Sequence, residues 1–300
     1  MTDTLDLTGR KEAVTTAIQG GRSLWDDAKA RLFRNKAAVV SMWVLGLMIV
    51  IAVLGPFVWV HDYNTISART ELPPTLENWH ILGTDIQGRD SFARLMVGLR
   101  ISLAVGLVAT IVSLVIGVTW GAVAGFVGGR VDNIMMRFVD VLYAMPFIFF
   151  VILLLTVFGR NIILIFAAIG AVEWLTMSRI VRGQTLAIKN KEFIEATRAM
   201  GVPFFTTIRR HVLPNVVGPV AVYVTLTIPV VIMAESFLSF LGLGVNEPLT
   251  SLGVLIAEGA KEMRDKPWTL LAPALTMAIT LLCLNFIGDG LRDALDPKER

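Results

Sequence analysis

Of the 300 residues, 55% are hydrophobic and only 17% are charged, with a mean hydropathy of +0.68. Soluble globular domains carry about 25% charged residues, so this chain avoids water over much of its length. A formal net charge of +3 with an isoelectric point of about 9.2 comes without any basic stripe interleaved with aromatics, which excludes nucleic acid as a partner.

The first 36 residues are polar and charged. Ser23 and Asp26 form an N-cap pattern for a helix that continues through Arg34, with Trp25, Leu32 and Phe33 set among charges. That composition suits an amphipathic helix lying on a membrane surface. Ala37 then opens an uncharged run to Val60, too late and too long for a secretory signal, and it reads as a retained span. Five more stretches have the length a bilayer core requires, about 20 apolar residues. They are Ile101–Gly129, Val141–Gly159, Asn161–Ser178, Val212–Ala234 and Pro267–Gly288. The expected fold is an all-α membrane protein with six transmembrane helices. No alternating pattern suggests a membrane β-barrel.

The expected organisation is a cytoplasmic tail at 1–36, a first span at 37–60 and an outer loop at 61–100. A core of five spans occupies 101–288, with an inner loop at 179–211, an outer loop at 235–266 and a cytoplasmic tail at 289–300. Sidedness follows from Lys and Arg, which are retained in cytoplasmic segments. With both termini inside, 19 of the 27 basic residues fall on the cytoplasmic side.

Within the second span, Gly117, Gly121, Gly125 and Gly129 recur every four residues, a small-residue face that lets helices approach closely in lipid. Pro146 and Pro229 interrupt the third and fifth spans, where each removes a helix hydrogen bond. Glu173 is the one carboxylate inside a span, and Arg179 two turns on can satisfy it. Cys283 sits in an apolar run and cannot form an intramolecular disulfide. His61, His80 and His211 lack metal-ligand spacing, so no metal site is expected.

The inner loop Arg179–His211 is too long for a tight connection. Lys191–Met200 is rich in helix formers and stops at Gly201, and Pro203 starts a second short helix before Leu213-Pro214 enters the fifth span. Phe193, Ile194, Glu195, Ala196, Arg198 and Met200 mix apolar and charged groups, as docking into a groove of a soluble partner requires. On the outer side, Ser251–Met263 can form an amphipathic helix with Leu252, Leu255 and Ile256 on one side. It either gates the outer mouth or meets a partner. Asp85, Arg89 and Asp90 either join that contact, with Glu247 and Pro248, or pair among themselves.

Glu195-Ala196-Thr197, Gly201 and Leu213-Pro214 carry the spacing of a known signature. This segment resembles the EAA loop of ABC importer permeases, departing from it at Thr197 and His211. Gly83–Asp90 with Arg94, Gly98 and Arg100 is similar to the oligopeptide and dipeptide branch of that family. So are Phe237–Gly244, Glu247-Pro248 and Ser251–Gly253, and Asn285–Pro297 looks like its C-type subunits. The resemblance implies a type I ABC importer permease fold in a bacterial cytoplasmic membrane. It also implies a homologous B-type permease, two cytoplasmic ATPases and an extracytoplasmic peptide-binding protein as partners. Phe193–Gly201 would be the ATPase-coupling segment. No phosphate-binding GxxxxGK[ST] loop is present, so ATP and Mg²⁺ would be handled by the partner ATPases and no cofactor by this chain. An ion-coupled transporter would need more intramembrane ionisable groups than Glu173, and an enzyme would need a catalytic cluster that the sequence does not offer.

Overall fold

The computed structural model describes residues 24–158 and 162–295, nearly all of them helical where they meet the apolar stretches. The tail before residue 24, with the expected cap Ser23, and the last five residues lie outside the described part.

Helix α1 (Leu24–Arg34) places Asp26 and Asp27 in its first turn and Arg31 and Arg34 in its last, complementing the helix dipole at both ends. Asn35 then caps α2 (Lys36–Val58), its Oδ1 accepting from the Ala38 amide at 3.2 Å. Most of α2 is apolar and exposed on the isolated chain, including Trp43, Phe57 and Val58, as a lipid-facing helix requires.

Helix α3 spans Ser91–Val127, because Asp90 caps it by accepting from the Ala93 amide at 2.7 Å. The second span therefore starts ten residues before the uncharged run that opens at Ile101, and Arg94 and Arg100 are helical rather than part of a loop. Ion pairs carry Arg94 into the fold, which charge-free counting cannot foresee.

The expected third span does not run straight. Helix α4 (Gly129–Ala144) is amphipathic and ends where Met145 turns extended before Pro146, and α5 (Phe147–Phe158) follows. The two are bent by 92°. Proline disfavours helical geometry in the preceding residue and removes an amide, so the break falls at this pair. At 12 residues, α5 is about 18 Å long and short of the ~30 Å hydrocarbon core. Among the described residues, five helices are long and apolar enough to cross a membrane, six if the bent pair is one span.

Helix α6 (Ile162–Lys189) continues eleven residues past the expected end of the fourth span and absorbs the start of the inner loop. A short helix α7 (Glu192–Ala199), a four-residue helix α8 (Phe204–Thr207) and a π-turn over Ile208–Val212 lead into α9 (Leu213–Phe240). Glu235, expected at the start of an outer loop, is inside α9. Helix α10 (Leu252–Glu262) and α11 (Pro267–Leu295) complete the bundle.

The central packing is α3 against α6. A Cβ on Gly117 would stand 2.6 Å from Met177 Cβ, and one on Gly125 would meet the Arg182 carbonyl at 2.9 Å. At Gly121 it would collide with the Ser178 carbonyl oxygen. Three of the four glycines thus form the close-approach face, with a helix of the same chain as partner. Gly129 falls outside it, since α3 has ended and φ there is +60°.

The bundle has two distinct ends. One gathers α1, the α3–α4 reversal, α7 and α8. The other gathers residues 59–90, α10 and the start of α11.

Candidate functional site

At the first end, α7 hangs between α6 and α9. Glu192 and Glu195 in its first turn favour the helix dipole, and the chain reverses after Met200 through Gly201 at φ +72°. Ile194 is fully buried, in a cluster with Phe126, Met177, Val181, Ile188 and Val212. Ile194 was expected on the docking face. Instead it turns inward and anchors α7, because residues three apart share one helix face and Thr197 sits beside it. Thr197 Oγ1 donates to the Ile194 carbonyl at 2.7 Å, so the departure from the family signature at this position is satisfied locally. Phe193, Glu195, Ala196, Arg198, Met200 and Gly201 remain exposed.

Several contacts tie this unit to the long helices. The Arg198 guanidinium lies 5.1 Å from the centre of the Phe126 ring, which meets Phe204, which meets Phe205. Lys189 Nζ donates to the Val127 carbonyl at 3.1 Å, at the C-terminal end of α3. Arg182 donates from Nε and Nη2 to the two oxygens of Asp132, at 2.6 and 2.7 Å, joining α6 to α4. Arg179 donates to Asp140 at 2.8 Å and stacks on Tyr143, so it is not turned toward Glu173.

The opposite end is an ion-pair network. Asp85 Oδ1 accepts from the Gln87 and Arg89 amides, and Oδ2 from Arg89 Nε and Arg94 Nη1, both at 2.7 Å. Arg89 reaches on to Glu247 at 3.0 Å, and Arg94 makes a two-pronged contact with Glu258 at 2.8 and 3.2 Å. Burial opposes the Arg89 charge, but the carboxylates of Asp85 and Glu247 outweigh it and raise its pKa. These residues line a cleft of about 260 Å³ between the Asp85–Arg94 segment, α10 and the start of α11.

Asp85 and Arg89 therefore pair, whereas Asp90 does not join them. It takes Trp59 Nε1 at 3.2 Å and His80 Nδ1 at 2.8 Å besides capping α3. Arg89 and Asp90 are buried and unavailable as contact residues. Of the five expected on this surface, Glu247 and Pro248 are exposed and Asp85 is half-buried. Helix α10 has the expected amphipathic form, with Leu252 and Leu255 buried.

Glu235 was missed as a structural centre. Fully buried, it accepts from Ser239 Oγ and Ser251 Oγ at 2.7 Å on Oε1 and from Ser102 Oγ at 3.4 Å on Oε2. Ser251 also caps α10, and Ser102 accepts from the Leu252 amide at 3.0 Å. One side chain thus holds α9, α3 and the N-terminus of α10 together. Three serines spread over 149 residues give no local signal.

Comparisons with known proteins agree with these features. Residues 117–300 match the family described as binding-protein-dependent transport system inner membrane component. Residues 23–74 match the N-terminal transmembrane domain of oligopeptide transport permease C. The chain is 54% identical over 281 residues to the oligopeptide transport system permease protein OppC of Escherichia coli, covering 93% of each. It is 44% identical over 280 residues to the dipeptide transport system permease protein DppC of Bacillus subtilis, covering 93% of this chain and 87% of the other. A chain from the inward-facing MetNI methionine ABC transporter superposes with a TM-score of 0.56 at 17% identity, over 66% of this chain and 94% of that one, which shows a shared fold.

Proposed function

The chain belongs to the family of binding-protein-dependent transport system inner membrane components, and we propose that it forms half of the pathway by which oligopeptides cross the membrane. It is a multi-pass permease subunit of an ABC importer with the type I importer fold. In this reading a homologous B-type permease supplies the other half. One of two ATPases docks on α7 from the cytoplasm, the other on the partner permease, and an extracytoplasmic binding protein delivers peptide to the Glu247-Pro248 rim. The chain itself performs no catalysis, and ATP and Mg²⁺ act at the partner ATPases.

The observation that carries the reading is the construction of α7. One side of it, through Ile194, is fixed into the α6–α9 core, while the other presents Phe193, Glu195, Arg198 and Met200 to solvent. A partner that closes on this surface moves α6 and α9, because both long helices continue from the same segment. ATP-bound partners must bind one state of the bundle more tightly than the other. Reversing a 1:99 distribution takes ~5.5 kcal/mol of differential affinity. These exposed side chains can supply this jointly, with none dominating.

Reconstitution with the neighbouring permease, the ATPases and the binding protein tests the reading through ATP hydrolysis. Peptide-loaded binding protein is expected to raise the rate in wild type and much less in Phe193→Ala/Met200→Ala. Solute movement by the isolated chain down an ion gradient would refute it.

A further inference from the structure

The loop-rich end contains a second constellation, to which the proposed function assigns no role. His61 follows α2, His80 follows the 3₁₀ turn Glu77–Trp79, and Asp90 precedes α3. One ligand-type atom from each lies within 4.8 Å of the other two. The imidazoles stack, with ring centres 4.2 Å apart and planes inclined by 15°.

The hydrogen bonds around them define what each group has to offer. Asp90 Oδ1 is fixed by Trp59 Nε1 and the Ala93 amide, so Oδ2 is held toward His80 Nδ1. His61 Nε2 lies 2.6 Å from the Asn78 carbonyl oxygen, which can only accept. That nitrogen therefore carries a hydrogen, and in the neutral ring Nδ1 keeps a lone pair. Asn78 and Trp79 both hold positive φ, at +58° and +61°, a conformation that a bulky side chain such as tryptophan rarely adopts. The strained pair sets both the Asn78 carbonyl and His80 in position. Two imidazoles, each able to offer a ring nitrogen when neutral, beside an anchored carboxylate oxygen make a donor set suited to a borderline-soft divalent cation.

We propose that His61, His80 and Asp90 form a binding site for a transition-metal dication of the Zn²⁺ class, with water in the fourth position. The ion takes the place of the hydrogen between Asp90 Oδ2 and His80 Nδ1, the imidazole staying neutral by carrying its hydrogen on Nε2. His61, half-buried and held by one hydrogen bond, tilts out of the stack to complete the set. Asp90 Oδ1 keeps its bonds to Trp59 and Ala93, an outer support of the kind that orients metal ligands. The bound ion staples the exit of α2 to the start of α3.

Titration of the untagged full-length chain in detergent with Zn²⁺ alone, against a chromophoric chelator, tests the site. One ion per chain is expected, with affinity falling ~10-fold or more in His61→Ala and unchanged in His211→Ala, whose histidine lies at the other end. Zinc X-ray absorption of the wild-type complex is expected to show an oxygen and nitrogen shell with two imidazoles, a readout independent of how any variant folds. Absence of a bound ion, equal affinity in His61→Ala and wild type, or a shell without imidazole would overturn the proposal.

Discussion

Arg94 is almost wholly buried and is held by Asp85 on its own side and by Glu258 across the cleft. Removing one partner of a buried pair leaves the others uncompensated, at a cost of ~3–5 kcal/mol. Glu258 keeps 39% of its side chain exposed, which softens the loss. Arg94→Ala is expected to cost toward the lower end of that range, read as a lower melting temperature of the purified chain. Ile194→Ala opens a cavity and costs ~2–5 kcal/mol, while Phe193→Ala, at an exposed site, leaves the melting temperature nearly unchanged. Glu262 supplies a pH signature. Burial raises its pKa above the ordinary 4.5, Lys266 opposes this, and Glu71, Asp85 and Glu258 add to it. A raised folded pKa means that the fold favours the protonated form. Its contribution is therefore full below the ordinary value and is lost as pH rises through the folded one. Glu262→Gln is expected to gain stability relative to wild type as pH rises from about 4 to 7, followed by thermal melts across that interval.

Two elements depend on glycine for different reasons. At Gly201 the backbone is left-handed, but a Cβ would meet nothing within 4 Å, so only conformation restricts the position. Gly201→Val is expected to abolish peptide uptake while the subunit still assembles, whereas Gly201→Asn, whose side chain tolerates this region, retains most of it. Vesicle uptake and co-purification read the two outcomes apart. At Gly121 the obstacle is the backbone of α6 itself, including the Ser178 carbonyl and the Arg182 amide. Gly121→Leu is expected to separate α3 from α6 and prevent accumulation of folded protein, visible by size-exclusion chromatography. The stripe was legible from spacing alone, since period four places three glycines on one helix face. Its partner was not, because any second helix could have filled the groove.

For the whole molecule, the distribution of basic residues leads us to propose an orientation with α7 toward the cytoplasm, as docking of the ATPases on it requires. The single cysteine, Cys283, is buried, so introduced thiols can be followed against low background. A membrane-impermeant maleimide added to intact cells is expected to label Pro248→Cys but not Met200→Cys, and both once the membrane is opened. The reverse pattern would invert the orientation and remove α7 from the ATPases. If the Pro248 rim is the outer contact, Glu247→Cys is expected to cross-link to the binding protein, and absence of any adduct across neighbouring positions would count against it.

The sequence by itself determined the membrane class, the number and rough place of the apolar stretches, and the helix–break–helix around Gly201. Those features are written in local composition and spacing, which one stretch of chain carries alone. Only the tertiary structure decided the inward turn of Ile194 and the pairing of Arg94 with Glu258. It alone also placed Glu235 among three distant serines and His61 beside His80. Each depends on groups far apart in the chain, and a buried charge is stable only where partners converge on it, which residue order does not display.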